Sequence, residues 1–382
     1  IPFTLAGETV SFDLVAGRVC EVAINMAAPE RIEPICQHYG ACGGCALQHM
    51  EATAYRAWKQ EQVRDALLKR GVDGEIEDTI ACEPRSRRRT QFASRQTEKG
   101  FLFGYHERGS KTIMPVSTCP IITPAIEAKL PDIKKLAQMA TPKKGELKLQ
   151  VFDTDKGLDV TLSGINTLSE DKRQKLIKLS MQLGFVRLNL NDEILIERER
   201  PTIDFNGIEV SIPPGSFSQA TSAAQTYMID AVLAHLKGCK QVADLFCGSG
   251  TFALPLAKQS KVIAAEFDQG AGNALDRAMR GAKGLKTLKL ERRDLFRRPF
   301  FARELKYVHG LVFDPPRAGA EHQCREIAKS AVRKVAAISC NPATFARDAR
   351  ILIDGGFKLQ KVTPVDQFLF SPHIEVVGLF SR

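Results

Sequence analysis

A chain of 382 residues has room for two or three domains, and its 44% hydrophobic and 26% charged residues exclude wholesale disorder. No stretch approaches the roughly 18–20 continuous apolar residues of a membrane span, and no signal-peptide pattern is visible, so a cytoplasmic location without a membrane partner is expected. A net charge of +10 is compatible with nucleic acid, and ten Cys without a secretion signal argue against a disulfide framework. The chain opens on Ile-Pro-Phe rather than Met, from which upstream sequence is expected.

In chain order, residues 3–25 alternate in short apolar stretches and read as a small β segment. Residues 29–49 are turn-rich and hold three Cys. The spacing of Tyr55, Trp58, Val63 and Leu67 predicts a helix over 51–70, stopped at Gly71. Residues 85–118 and 146–163 read as hairpins, followed by a helix over 168–183 and a strand over 185–190. From about residue 205 the pattern changes. Helices are expected over 218–237, 251–258, 269–282, 320–333 and 343–354. They alternate with strands over 242–246, 262–265, 287–290, 310–313 and 335–339, and a β-rich C-terminus closes the chain. Such alternation indicates an α/β fold built on a doubly wound, mostly parallel sheet.

Residues 83–111 carry eight Lys/Arg against three acids, a net of five positive charges, with Phe92, Phe101, Phe103 and Tyr105 interleaved. That mixture suits phosphate contacts by Arg87, Arg88 and Arg89 and base stacking by the aromatics. A solvated strand pair with ordinary core aromatics fits it equally well.

Asp244-Leu245-Phe246-Cys247-Gly248-Ser249-Gly250-Thr251-Phe252 joins a buried strand to a helix. Glycines allow a tight turn and close approach of backbone to ligand, and the following helix amides supply donors. Glu266 ends the next strand, where a carboxylate can accept both hydroxyls of a ribose. Phe246, Gly248 and Gly250 shape the turn, Asp244 supports it or the ligand's amino group, and Asp294 is placed to meet an adenine. The turn looks like the first motif of class I S-adenosylmethionine methyltransferases rather than the dinucleotide fingerprint.

Phe313-Asp314-Pro315-Pro316-Arg317 lies at another strand end, where prolines present Asp314 to the cleft. Ser339-Cys340-Asn341-Pro342-Ala343-Thr344 puts a Cys at the sheet's carboxyl edge, and Ser371-Pro372-His373-Ile374-Glu375 holds a carboxylate in a rigid turn. Taken singly, Cys340 reads as a buried structural residue and Glu375 as a surface acid. Together with a methyl donor they fit one chemistry. A thiolate adds to C6 of uracil, C5 becomes nucleophilic and takes a methyl group, and a base removes the C5 proton so that the thiolate leaves.

These motifs, together with Ala346-Arg347-Asp348, resemble the RNA 5-methyluridine methyltransferase family over residues 205–382. The resemblance implies a class I (Rossmann-like) methyltransferase sheet, S-adenosylmethionine as donor, RNA as partner, Cys340 as nucleophile and Glu375 as base. Asp314 would contact the uracil. Phe217-Ser218-Gln219 looks like the family's F-x-Q element near donor and base, although Ala220-Thr221 replaces the family's usual Val-Asn. An RNA cytosine-5 methyltransferase would carry a Cys within 314–317, and none stands there. A non-catalytic RNA-binding protein would have lost Cys340 or Glu375.

Cys36, Cys42 and Cys45, with Cys119-Pro120 far downstream, suggest an iron–sulfur cluster on four thiolates, with zinc as the rival reading. The Cys-x5-Cys-Gly-Gly-Cys stretch resembles the family's [4Fe–4S] subgroup. That resemblance implies 23S ribosomal RNA as substrate, with transfer RNA as the alternative. The expected organisation is a partial OB-like β segment over 1–33, an iron–sulfur and RNA-binding α+β region over 34–204, and a methyltransferase domain over 205–382, in a monomer.

Overall fold

The computed structural model describes residues 1–15, 17–165 and 167–382. Strands β1 (Thr9–Val15) and β2 (Arg18–Met26) form an antiparallel ribbon at the expected β segment. Helix α1 (Ala52–Leu68) starts where the Glu51 carboxylate accepts from the amides of Thr53 and Ala54. Its buried stripe is Tyr55, Lys59, Val63 and Leu67, so Lys59 takes the place expected for Trp58.

A central sheet follows. It contains β3 (Arg89–Thr97), β4 (Gly100–His106), β5 (Ile113–Pro115), β6 (Leu147–Thr154), β7 (Gly157–Ser163), β8 (Arg187–Leu190) and β9 (Glu193–Glu197). The spatial order is β5-β4-β3-β6-β7-β8-β9, antiparallel except where β7 pairs with β8. Helices α2 (Pro124–Ala128), α3 (Leu130–Ala140) and α4 (Glu170–Leu183) supply its second layer. Ile126, Ile133, Leu136, Leu176 and Leu179 meet Phe92, Phe103, Leu149, Val151 and Val160 in one core. Neither α2 nor α3 was expected.

Two expectations for residues 83–111 fail here. Phe92 and Phe103 are buried, and Phe101 and Tyr105 pack against the same core, with the Phe92 ring 5.0 Å from Phe103 and 4.9 Å from Tyr105. Phe92 and Phe103 hold the sheet to its helices and have no face left for a base, while Phe101 and Tyr105 are partly buried against the same core. Arg88 is buried too, and spends its guanidinium on the Gln219 carbonyl (3.0 Å), Ser218 Oγ (2.8 Å) and Gln225 Oε1 (2.6 Å). It ties the central sheet to the C-terminal region rather than meeting phosphate.

The C-terminal region opens with a hairpin of β10 (Thr202–Asp204) and β11 (Glu209–Ser211) and with α5 (Ser222–His235). Strands β12 (Gln241–Leu245), β13 (Lys261–Glu266), β14 (Leu288–Arg292), β15 (Gly310–Phe313), β16 (Lys334–Ser339), β17 (Lys358–Val365) and β18 (Glu375–Ser381) stand in the order β14-β13-β12-β15-β16-β18-β17. The first five are parallel and β18 runs antiparallel. Helices α6 (Ala253–Ala257), α7 (Gln269–Gly281), α8 (Glu321–Lys329) and α9 (Pro342–Asp354) complete the αβ alternation. Helix α8 ends four residues before its expected limit, because Ser330 is extended and its hydroxyl bonds the Ile327 carbonyl.

Apolar side chains fill both faces of the sheet, Met228, Leu254 and Leu275 in one cluster and Ile327, Phe345 and Leu352 in the other. Val63, Leu67 and Val72 join the second cluster, and Ile76 and Ile80 pair with Val362 and Val365 of β17. Helix α1 and the chain after it therefore lie on the α/β sheet. The strand order reverses at β12, flanked by β13 and β15, and a ligand crevice opens at the carboxyl ends of the strands there.

Candidate active site

The turn after β12 holds Phe246 (φ 62°), Gly248 (φ 54°) and Gly250 (φ 99°) in the left-handed region. For Phe246 this is strained backbone, on the order of 1–3 kcal/mol. At Gly250 a Cβ would come within 2.6 Å of Leu275 and 3.1 Å of Leu254, so glycine lets the turn settle onto its helices. The Gly248 amide donates to Glu266 Oε2 (2.8 Å), and the amides of Phe267 and Asp268 donate to Oε1 (2.7 Å each). Asp294 accepts from the amides of Phe296 and Arg297. Beside it, Phe246, Leu295, Phe296 and Gly319 line part of a cavity of about 190 Å³.

Asp244 is buried, and neither carboxylate oxygen makes a full hydrogen bond, although the Ala253 amide faces it. Burial, then the charges of Asp314 and Glu266, hold its pKa well above the usual carboxylate range. An unpaired buried carboxylate is costly. A cationic ligand would relieve it, and S-adenosylmethionine carries both a sulfonium and an ammonium. The donor set therefore fits that molecule.

Asp314 follows β15, Cys340 follows β16, and Glu375 begins β18. Cys340 is half-buried just ahead of α9, where Asn341 Oδ1 caps the helix by accepting from the Ala343 amide. A helix N-terminus favours a thiolate, yet burial and the charges of Glu375 and Asp314 raise the thiol to about 11, against the pull of Arg317. Burial raises Asp314 to about 7 although Gln219 Nε2 donates to its Oδ2 (3.0 Å). Glu375 is pushed well up by burial and by Asp314. One of its oxygens accepts from Gln367 Nε2 (2.6 Å), and the other has no partner.

The N-terminal half grips the loop that carries Glu375. Lys59 forms a buried ion pair with Asp366 (2.9 Å) and bonds the His373 carbonyl. Tyr55 Oη accepts from the Phe370 amide (2.8 Å), and the amides of Ala46 and Leu47 donate to the Phe370 carbonyl (2.7 and 3.1 Å). Phe370 itself is left-handed, at φ 57°. Lys59 and Gln367 are absent from the residues the sequence singled out, and Tyr55 was read there only as part of a helix face, since no local motif marks them.

Ala46 and Leu47 continue the loop of Cys36, Cys42 and Cys45, and Cys119 faces all three. Burial raises the thiols of Cys42, Cys45 and Cys119, Cys45 to about 12. The Gly44 amide stands 3.4 Å from Cys42 Sγ, and the amides of Ile121 and Ile122 face Cys119. Gln48 gives its oxygen to the Cys36 amide (3.1 Å) and leaves its buried Nε2 beside Cys45 without a full hydrogen bond. Gly43 lies so close to β4 that a Cβ would stand 2.9 Å from the His106 carbonyl. Among the described residues, no group of three or more His, Cys, Asp and Glu side chains is arranged to hold a single metal ion.

A doubly wound sheet, a glycine turn backed by Glu266 and a second acid–thiol cluster on the same edge define a class I methyltransferase. The chain belongs to the tRNA (uracil-5-)-methyltransferase family, whose model matches residues 83–382. It is an S-adenosylmethionine-dependent RNA methyltransferase of the uracil-C5 class. A protein of Brucella suis named an uncharacterized RNA methyltransferase is 47% identical over 382 residues, covering 100% of this chain and 92% of the relative. The 23S rRNA (uracil(1939)-C(5))-methyltransferase of Shewanella halifaxensis is 29% identical over 98% of this chain and 89% of its own. The crystal structure of the Pyrococcus abyssi tRNA (uracil-54, C5)-methyltransferase with S-adenosyl-L-homocysteine shares the fold, with a TM-score of 0.76 at 19% identity. It covers 99% of this chain and 94% of that one. Among the described residues no helix is long and apolar enough to cross a membrane.

Proposed function

We propose that this protein methylates C5 of one uridine in 23S ribosomal RNA, with Cys340 as nucleophile and Glu375 as base. The observation that carries the reading is the joining of Asp314 and Glu375 by hydrogen bonds through Gln219 and Gln367, with Cys340 facing both acids, beside the glycine turn. S-adenosylmethionine supplies an electrophilic methyl group. Its ribose would rest on Glu266, its adenine near Asp294 and its cationic end towards Asp244, across the turn of Phe246, Gly248 and Gly250. Cys340 adds to C6 while Asp314 and Gln219 hold the uracil edge, so that negative charge develops on the ring and makes C5 nucleophilic. C5 takes the methyl group, leaving S-adenosylhomocysteine. The free oxygen of Glu375, in its ionised form, then takes the C5 proton, and the C6–sulfur bond breaks to release Cys340 as thiolate.

Ribosomal rather than transfer RNA is favoured by the four-Cys loop and by the relative that acts on 23S rRNA. Mapping 5-methyluridine in cells with and without the protein tests this. Loss at a 23S position is expected, and loss confined to transfer RNA would overturn it. An RNA substrate of this kind fits a cytoplasmic monomer organised as 1–33, 34–204 and 205–382. The cations left for phosphate in segment 83–111 are surface ones such as Lys99 and Lys111.

The four thiols are proposed to hold a [4Fe–4S] cluster. Amides aimed at Cys42 and Cys119 and the spare Gln48 N–H beside Cys45 favour thiolates, as such a cluster requires. The cluster would cross-link residues 36–45 to Cys119 and so stiffen the amides that hold Phe370. Anaerobically purified protein should contain about four irons per chain. Cys45→Ala should lose iron and speed amide exchange over 366–373 while donor affinity holds. Stoichiometric zinc without iron, or unchanged exchange in an iron-free variant, would contradict this.

Asp314 supplies a pH signature. Its folded pKa of about 7 lies above its unfolded value near 3.9, so the native state binds more protons between those limits. Stability falls as pH rises through that window, at a cost on the order of a few kcal/mol at pH 8. Asp314→Asn should therefore raise the melting temperature at pH 8 but not at pH 4, while turnover drops. An equal shift at both pH values would contradict this origin.

A further inference from the structure

Gln367 has no part in the chemistry derived so far, yet it hydrogen-bonds a backbone amide, Gln219 and Glu375 in the buried row behind the acids. Its Oε1 accepts from the Ala220 amide (2.8 Å). A backbone N–H can only donate, so this bond fixes which end of the Gln367 amide is oxygen. Both N–H groups must then point the other way. One donates to Glu375 Oε2 (2.6 Å) and the other to Gln219 Oε1 (2.8 Å). That second bond fixes the Gln219 amide in turn, leaving its Nε2 to donate to Asp314 Oδ2 (3.0 Å). Gln219, Gln367 and Glu375 are all buried, as are the bonds among them, while the bond to Asp314 is part-buried.

One backbone amide thus sets the direction of the whole row. We propose that Gln367 is a positioning residue: it holds one oxygen of Glu375 so that the other, unpartnered, faces the reacting carbon, and it locks the Gln219 amide with its donor end towards Asp314. Without it the Glu375 carboxylate could rotate, and the Gln219 amide could flip and present oxygen where a donor is needed. The inference rests on Glu375 being the base. Burial raises Glu375 most, the charge of Asp314 just past β15 adds to it, and the bond from Gln367 opposes both, while Cys340 just past β16 faces Glu375. Arg317 faces Cys340, and the Lys59–Asp366 pair of α1 and the loop stands behind Gln367.

Gln367→Met keeps the length of an unbranched side chain and removes both donors and the acceptor. With full-length protein, S-adenosylmethionine and substrate RNA, turnover should fall on the order of 10²-fold. Donor affinity should hold. The Cys340–RNA adduct should accumulate, because the slowed step is proton removal. A carboxylate that loses a donor is harder to ionise, so the acid limb of the pH–rate profile should move up by about one pH unit. Gln367→Glu, which keeps the shape but cannot donate when ionised, should show the same slowing and the same adduct at neutral pH. The positioning role is overturned if both variants match the wild type in rate, adduct level and acid limb while Glu375→Gln still traps adduct. Normal turnover by Glu375→Gln would instead remove the base assignment beneath it. A change in melting temperature alone, with rate and pH profile unmoved, would reduce Gln367 to a packing residue.

Discussion

Cys340→Ala should abolish methyl transfer, by a factor on the order of 10⁴ or more, because Cys340 is the group proposed to add to C6. The other Cys near the sheet's carboxyl edge, Cys247, is buried in the turn, and burial together with Asp244 and Glu266 keeps its thiol protonated. Removing the Cys340 sulfur leaves Asp244, Glu266 and Asp294 untouched, so S-adenosylmethionine should bind with near wild-type affinity by calorimetry. Turnover within tenfold of the wild type would show that the nucleophile lies elsewhere.

Glu375→Gln has a different expected outcome. The amide oxygen of a glutamine there can still accept from Gln367, so the row of side chains stays in register. A glutamine cannot take a proton from C5. Addition and methylation should therefore proceed and elimination should stall, with release slowed on the order of 10²–10⁴-fold. Denaturing gels should show protein shifted by attached RNA, and the attached base should carry the new methyl group. Wild-type turnover with no shifted band would remove Glu375 from proton abstraction.

What could be read from the sequence follows from where each residue's partners lie. The glycine turn, Asp314 and Cys340 each sit in a short motif at a strand end, and a strand end in a doubly wound sheet faces the crevice. Local residues alone place them there. Glu266 was legible for the same reason, one strand further on. Gln367, Lys59 and Arg88 were not. Gln367 gains its meaning from Gln219 and Ala220, almost 150 positions away, and Lys59 from Asp366 and His373, some 300 away. A Lys in a helix reads as a solvated face until its partner is known, which is why Trp58 was placed on the buried stripe instead. The basic segment misled in the opposite direction. Alternating cations and aromatics describe an RNA-binding ribbon and a half-buried strand pair equally well. Helices α2 and α3 decide between them by covering Phe92 and Phe103.

The four-Cys loop shows the same division. Its spacing pointed to a cluster of thiols, but not to its contact with the catalytic loop through Ala46, Leu47 and Phe370. That contact is made by backbone groups, on which sequence has little to say.

The most direct test of the covalent route is to incubate wild-type protein with S-adenosylmethionine and substrate RNA carrying 5-fluorouridine at the target, and to sequence the cross-linked peptide by mass spectrometry. Fluorine cannot leave C5 as a proton does, so addition and methyl transfer should occur and elimination should fail. A single stable adduct is expected, joining Cys340 to a methylated fluorouracil. Absence of any adduct while unsubstituted RNA is still methylated, or an adduct on a different residue, would contradict it.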